Sequence, residues 1–228
     1  MSLPMEKLVG VNGAVVTNPM KLSAMPHTDI AREAGDPKLP PHQFSSPLFK
    51  YVLPTSSFRS ARATIRARDG YPLDWDQAGF ALVWPTAELP NPDADHPGDA
   101  NTAPLYVKTG VETFQGKTWG STVANKREVD WSLYPLSEEQ DTQSVTIEVV
   151  KYGERLVTML VRKTEDGKEI KDITRAIPWC FEKDEKRELL WVCIYASRPD
   201  WENVLKGNLE VEIEGFEVTD QNGMIKLI

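Results

Sequence analysis

Residues 106–126 read YVKTGVETFQGKTWGSTVANK. Side chains alternate along a strand, so Tyr106, Lys108, Gly110 and Glu112 share one face while Val107, Thr109 and Val111 share the other. In the second half Trp119, Ser121, Val123 and Asn125 share a face, with Gly120, Thr122 and Ala124 opposite. If the two halves run side by side, their bulky and ionic groups lie together over one face of a sheet. That face is either solvated, as one side of an antiparallel sheet often is, or the floor of a binding cleft.

Outward from this segment the chain reads as further strands. KYVLPT (50–55), ARATIRAR (61–68), AGFALVW (78–84), SVTIEVVKYG (144–153) and RLVTMLVRK (155–163) are short, rich in β-branched and aromatic residues, and bounded by turn residues. KEIKDITRAI (168–177), LLWVCIYAS (189–197) and NLEVEIEGFEV (208–218) continue the series. Asp166-Gly167 between two such runs is a hairpin signal. No helical period of useful length occurs here. Roughly ten strands without helical crossovers predict an all-β antiparallel sandwich or jelly roll. Residues 44–228 read as one domain. Residues 1–43, rich in proline, read as an arm lying over it, with TDIAREAG (28–35) a short helix capped by Thr28 and stopped by Gly35. The stretch PTAELPNPDADHPGDANTAP (85–104) is long for a connection in a compact domain and is expected to act as a lid.

Composition narrows the function. The chain has 228 residues, 26 Lys plus Arg against 34 Asp plus Glu, and a net charge of −8. Without a basic stripe, such a chain is not expected to bind nucleic acid, whose affinity comes mostly from phosphate neutralisation. No stretch approaches the ~20 apolar residues of a spanning helix, and the first residues make a poor signal peptide, so a cytoplasmic protein without membrane contact is expected. Cys180 and Cys193, the only cysteines, suit a reducing compartment. Cys193 has no basic partner nearby in sequence and reads as structural.

The blocks DWDQAGFALVW (74–84), YVKTGVE (106–112), STVANKREVDWSLYPL (121–136), VTIEVVKYGERLVTMLVR (145–162) and GFEVTD (215–220) resemble one family. It is the concanavalin-A-like family known as "regulation of enolase protein", a largely uncharacterised domain of fungi and bacteria. The resemblance covers residues 44–220 and implies a two-sheet jelly roll with one concave face, related in shape to legume lectins and glucanases. The recurring positions it carries over are Asp76, Gln77 and Gly79, then Lys108, Gly110 and Glu112, then Ser121, Asp130 and Trp131. Residues 1–43 and 85–104 lie outside it.

Lys108 and Glu112 sit about 13 Å apart on a regular strand, too far to pair but placed to contact two ends of one bound molecule. With Gln77 they form the expected catalytic set. Tyr106 and Trp119 are expected as stacking platforms, with Ser121, Asn125 and Trp84 also toward the ligand. Trp191 and Tyr195 line either the cleft or the core, since both faces of LLWVCIYAS are apolar. Glu210, Glu212 and Glu214 imitate the acidic run of retaining glucanases. Their regular spacing, near 13 Å end to end, exceeds the ~5–5.5 Å that retaining chemistry needs, so they read as an outward polar face. Asp93, Asp95 and Asp99 lack the full calcium-loop pattern and read as a solvated loop. His27, His42 and His96 share no metal-ligand spacing.

Three functions fit these residues. The first is a cofactor- and metal-independent enzyme of secondary metabolism that orients a small molecule for a non-redox, cyclase- or pericyclase-type closure. The second is a carbohydrate-binding, lectin-like module. The third, implied by the resemblance, is a regulator that binds a metabolic enzyme. An open sheet edge also makes a homodimer an expectation.

Overall fold

The computed structural model describes residues 7–32, 40–126, 128–137, 142–184, 186–202, 204 and 207–227. The hairpin read from residues 106–126 is formed. Its turn is Gln115-Gly116, both with positive φ (53° and 69°), the backbone twist that two-residue hairpin loops favour. The Asp74 carboxylate accepts hydrogen bonds from both turn amides, at 2.9 and 2.8 Å.

Two sheets carry the fold, and every pairing between their strands is antiparallel. The seven-stranded sheet runs, in spatial order, β1 (Val9–Val11), β5 (Leu48–Pro54), β14 (Leu189–Ser197), β7 (Gln77–Trp84), β8 (Leu105–Phe114), β9 (Lys117–Asn125) and β10 (Val129–Tyr134). The second runs β13 (Glu169–Ile177), β12 (Arg155–Lys163), β11 (Ser144–Tyr152), β6 (Phe58–Arg66), β15 (Leu209–Asp220) and β16 (Gly223–Lys226), with β2 (Met20–Ala24) also on β15. β3 (Ile30–Arg32) and β4 (His42–Phe44) form a separate two-stranded sheet. The fold is thus the all-β antiparallel sandwich read from the strand pattern. No helix among the described residues is long and apolar enough to cross a membrane.

The main core lies between the sheets, where one parity of each strand meets the other sheet. Phe80, Leu82 and Trp84 of β7 and Val107 and Val111 of β8 bury themselves there. A second, smaller core lies on the other face of the seven-stranded sheet, with Ile30 and Phe44 packed over Ala81, Val83, Trp191 and Tyr195. This explains why β14 is apolar on both faces: each parity enters a different core.

The N-terminal segment departs from expectation. β1 pairs with β5 and β2 pairs with β15, so the described part of this segment is not an arm laid on a finished domain but supplies strands to both sheets. The signal was present in MKLSA, where Met20, Leu22 and Ala24 are buried and Lys21 and Ser23 exposed. β4 itself crosses the expected boundary at residues 43/44. The helix expected over 28–35 is also absent where described: Ile30–Arg32 is strand, and residues 33–35 lie outside the described residues. Burial of Ile30 and pairing of Ile30 with Phe44 and Arg32 with His42 outweigh local helix signals. Thr28, the expected cap, instead takes its N–H to the Arg198 carbonyl at 3.2 Å.

Candidate functional site

The pairing of β8 with β9 sets Lys108 beside Val123, Gly110 beside Ser121 and Glu112 beside Trp119 on the outer face of the seven-stranded sheet. On the other side of β8, Gly110 pairs with Gly79. A Cβ on Gly79 would lie 2.1 Å from the Thr109 carbonyl oxygen, and one on Gly110 2.1 Å from that of Ala78. Only glycine fits, so no side chain rises between the Gln77–Glu112 row and the Ala81–Lys108 row. A cavity of about 510 Å³ opens on this face. Gln77, Tyr106, Lys108 and Glu112 line it from the sheet, Trp75 and Trp131 from one side, and residues 29–32 and Trp201 also border it.

Lys108 is buried and donates from Nζ to Asp29 Oδ1 at 2.9 Å. The same oxygen accepts the Ile30 N–H at 2.7 Å, so Asp29 is held by the first amide of β3 as well as by the ammonium. Burying one of these charges without the other would be costly, and the pair therefore ties the segment before β3 to the sheet. Glu112 is buried too. Its Oε2 accepts hydrogen bonds from Ser121 Oγ and, at 3.1 Å, from Trp131 Nε1. Its Oε1 makes no hydrogen bond among the described residues. Burial holds this carboxyl above its ordinary range, while Ser121, Lys108 and Trp131 pull in the opposite direction. Gln77 Oε1 accepts from the Tyr195 hydroxyl at 3.0 Å, and burial pushes that phenol well above its usual range.

The aromatic wall is built around a strained residue. Trp75 has φ 72°, in the left-handed region that non-glycine residues avoid. Its N–H reaches the Thr113 carbonyl at 2.6 Å, and its ring packs on Phe114 (5.0 Å between centroids) and Trp131 (5.4 Å). The next residue, Asp76, is fully buried and takes two hydrogen bonds from Arg198, at 2.9 and 2.7 Å. That bidentate pair fixes the entry to β7 and so the position of Trp75.

The expected site residues separate into groups. Lys108, Glu112, Gln77 and Tyr106 meet in the cavity, and Ser121 acts on it through Glu112. Trp119 does not line it: its Nε1 bonds the Phe114 carbonyl at 3.1 Å and Lys117 covers its ring. Trp84 has the opposite parity to Gln77 and lies in the inter-sheet core against Trp179 and Phe181. Trp191, read as lining either the cleft or the core, lies on the outer face but is roofed, with Lys50 Nζ 3.3 Å from its ring centroid and Phe44 at its edge. Tyr195 lies beneath Gln77, and Asn125 lines a second cavity instead.

The loop 85–104 is not the expected lid over the first cavity. None of its residues lines that cavity, and several line the second. Asp93 and Asp99 cap their own turns, accepting from the amides of His96 and Asn101, each at 2.8 Å. Among the described residues no group of three or more His, Cys, Asp or Glu side chains is placed to hold a metal ion. Glu212 pairs with Lys21 and Glu214 approaches Arg66, on the far sheet. Asp130 pairs with Arg175 across the sandwich edge. Burial raises the thiol pKa of both Cys180 and Cys193.

Sequence reasoning missed Asp29, Trp75 and Trp201 as site residues. Trp75 stood beside the recurring Asp76. Asp29 lies 79 residues from Lys108 in sequence, and nothing local announces that contact.

Among known proteins, an uncharacterised protein of Emericella nidulans is 28% identical over 201 residues, which cover 87% of this chain and 86% of that protein. A functionally unknown protein from Saccharomyces cerevisiae has a similar solved structure, with a TM-score of 0.66 at 17% identity, covering 96% of this chain and 98% of that one. A Lotus tetragonolobus seed lectin matches at 0.53 and 9% identity over 94% of both chains. The alginate lyase Aly36B matches at 0.53 and 8% over 97% of this chain and 88% of that one. At these identities the structures show the fold alone, a jelly roll of the concanavalin-A-like kind. The family described as "Protein of unknown function (DUF1349)" matches residues 14–221, and the chain belongs to it.

Proposed function

We propose that the protein binds a small, largely apolar, ring-bearing molecule in the first cavity and orients it for a non-redox cyclisation. The observation that carries this reading is Glu112. One carboxylate oxygen is fixed by Ser121 and Trp131, and the other has no hydrogen-bond partner among the described residues, in a cavity bordered by Trp75, Trp131 and Trp201. A carboxyl held above its ordinary range sits nearer neutral pH, where it both donates and accepts a proton effectively. Trp75 and Trp131 offer flat faces to a ring, and holding a flexible substrate in its reactive shape supplies much of a cyclisation barrier. The Asp29–Lys108 pair presents a fixed dipole to the same space.

One observation favours a second reading, a carbohydrate-binding module. Trp131 is 40% exposed beside Trp75, and exposed indoles are good platforms for sugar rings. The lectin among the structural relatives shares only the fold. The regulator reading needs a continuous exposed apolar patch. Large exposed apolar side chains such as Val15, Tyr152 and Ile173 sit instead on separate elements.

The test is a tryptophan-fluorescence titration with a panel of polycyclic polyketide-like compounds, indoles and oligosaccharides. The expected result is quenching by an apolar ring compound, weakened about tenfold in Trp131→Ala. Glu112→Gln then retains binding while turnover is lost. Binding of oligosaccharides alone replaces the first reading with the second, and quenching unaffected by either substitution removes both.

A further inference from the structure

Gln77 and Glu112 are direct cross-strand partners on the outer face of β7 and β8. Their Cβ atoms therefore stand about 4.5–5.5 Å apart. Both line the first cavity, yet each makes its hydrogen bonds elsewhere. The amide of Gln77 has one orientation. Its Nε2 lies 3.4 Å from the Trp75 carbonyl oxygen and its Oε1 3.0 Å from the Tyr195 hydroxyl. A carbonyl only accepts, so the amide nitrogen and not its oxygen faces Trp75. Burial holds the Tyr195 phenol well above its usual range, so it keeps its proton and donates to Oε1. The amide carries two N–H groups, and the second has no partner among the described residues.

Glu112 is fixed from the opposite side. Ser121 of β9 and Trp131 of β10 both donate to Oε2, so Oε1 is the oxygen left to the cavity. Burial raises this carboxyl and so makes it a stronger base. The other charged donor here, the Lys108 ammonium, is engaged by Asp29. What remains side by side is one carboxyl oxygen and one neutral N–H. Enolisation needs that pair. A base removes a proton from the carbon beside a carbonyl, and a donor bonds the oxygen on which negative charge collects. A donor oriented beforehand need not reorganise as the charge develops. Trp75 supplies the carbonyl that orients Gln77, which gives its left-handed backbone a place in the site.

We propose that the molecule taken up by the first cavity is an enolisable ketone, with Glu112 as base, Gln77 as donor to the enolate oxygen and Tyr195 as the residue that positions Gln77. This rests on the proposed function and names its substrate class. Glu112 Oε1 takes a proton from the carbon beside the carbonyl. The C–H electron pair becomes the C=C bond of an enolate, whose oxygen receives the Gln77 N–H. The enolate carbon then bonds to a second carbonyl carbon of the same molecule, and that carbonyl's oxygen recovers the proton from Glu112. A ring closure of this aldol type is redox-neutral and returns the carboxylate unchanged.

The test is hydrogen–deuterium exchange of 2-tetralone in D₂O, followed by NMR with the full chain as catalyst. This bicyclic ketone has acidic hydrogens beside its carbonyl and no second carbonyl, so it isolates the first step. The parent chain should exchange them at least about a hundredfold faster than buffer. Glu112→Gln should abolish that acceleration while 2-tetralone still quenches tryptophan fluorescence. Gln77→Leu should lower kcat about a hundredfold with KM changed less than about threefold. Tyr195→Phe should lower kcat about tenfold and leave KM alone, a split that general loss of folding does not produce. 2-Naphthol, a flat copy of the enol, should inhibit the parent chain with a constant about tenfold below the ketone's KM, a readout that needs no variant to fold. Exchange no faster than buffer, acceleration that survives Glu112→Gln, an unchanged kcat in Gln77→Leu or Tyr195→Phe, or 2-naphthol binding no tighter than the ketone overturns the proposal. If ring compounds quench through Trp131 while 2-tetralone does not exchange, enolisation falls and the binding reading stands. If no ring compound quenches and nothing exchanges, both fall.

Discussion

One face of one sheet behaves in two ways. Over β5, β14 and β7, the β3–β4 hairpin lays Ile30 and Phe44 on Trp191 and Cys193 and makes a dry second core. Over β8, β9 and β10, and over the Gln77 end of β7, the same face keeps Lys108, Glu112 and Gln77 beside open space. Strand alternation is alike in both halves; what differs is the roof. A covered half repays its burial with apolar contact, while the open half buries charges that need named partners. Asp29 joins the halves, because it leads into the roof strand and also answers Lys108.

The sharpest way to break this contrast is to remove the joint. Lys108→Met should cost about 3–5 kcal/mol in urea unfolding, since it strands Asp29 in a buried place. The double change Lys108→Met with Asp29→Leu should recover part of that loss; a purely additive double change would contradict coupling across the roof. Next, Phe44→Leu should cost about 1–1.5 kcal/mol by loosening the dry half, with a red shift of Trp191 emission as the local sign.

A pH comparison then probes the open half. Folding holds the Glu112 carboxyl above its ordinary 4.5, so the folded chain keeps a proton that the unfolded chain has released. Stability from this group is therefore full below 4.5 and declines as pH rises through the folded value. Glu112 faces Lys108, Asp29, Ser121 and Trp131, and only the difference between the parent chain and Glu112→Gln isolates it. That difference should shift in favour of the variant as pH rises from 4.5; a flat difference would mean that Glu112 is better solvated than its burial implies. The smallest effect is at the hairpin turn. Gln115→Gly should stabilise by about 0.5 kcal/mol, because residue 115 pays for a left-handed backbone that glycine adopts freely.

Much of this was readable in advance. The parity of residues 106–126 put Lys108 and Glu112 on one face, and the apolar parity of LLWVCIYAS foretold burial on both sides of β14. Trp84 was misjudged because a conspicuous aromatic was weighed above its parity, which sends it between the sheets. For Trp191 the sequence left cleft and core open, because the covering that decides between them comes from residues about 150 positions earlier, beyond any local pattern. The 28–35 helix failed for the same reason: capping signals count for little once Ile30 has a core to enter and Phe44 to pair with.

Sequence alone determined which side chains stand together on each strand, because a two-residue period is written in the chain itself. Tertiary structure alone decided which part of that face is roofed, which ammonium finds a carboxylate, and where space is left over. Those outcomes depend on segments brought together from 79 or more residues away, as Asp29 is to Lys108, and no local rule encodes such a meeting.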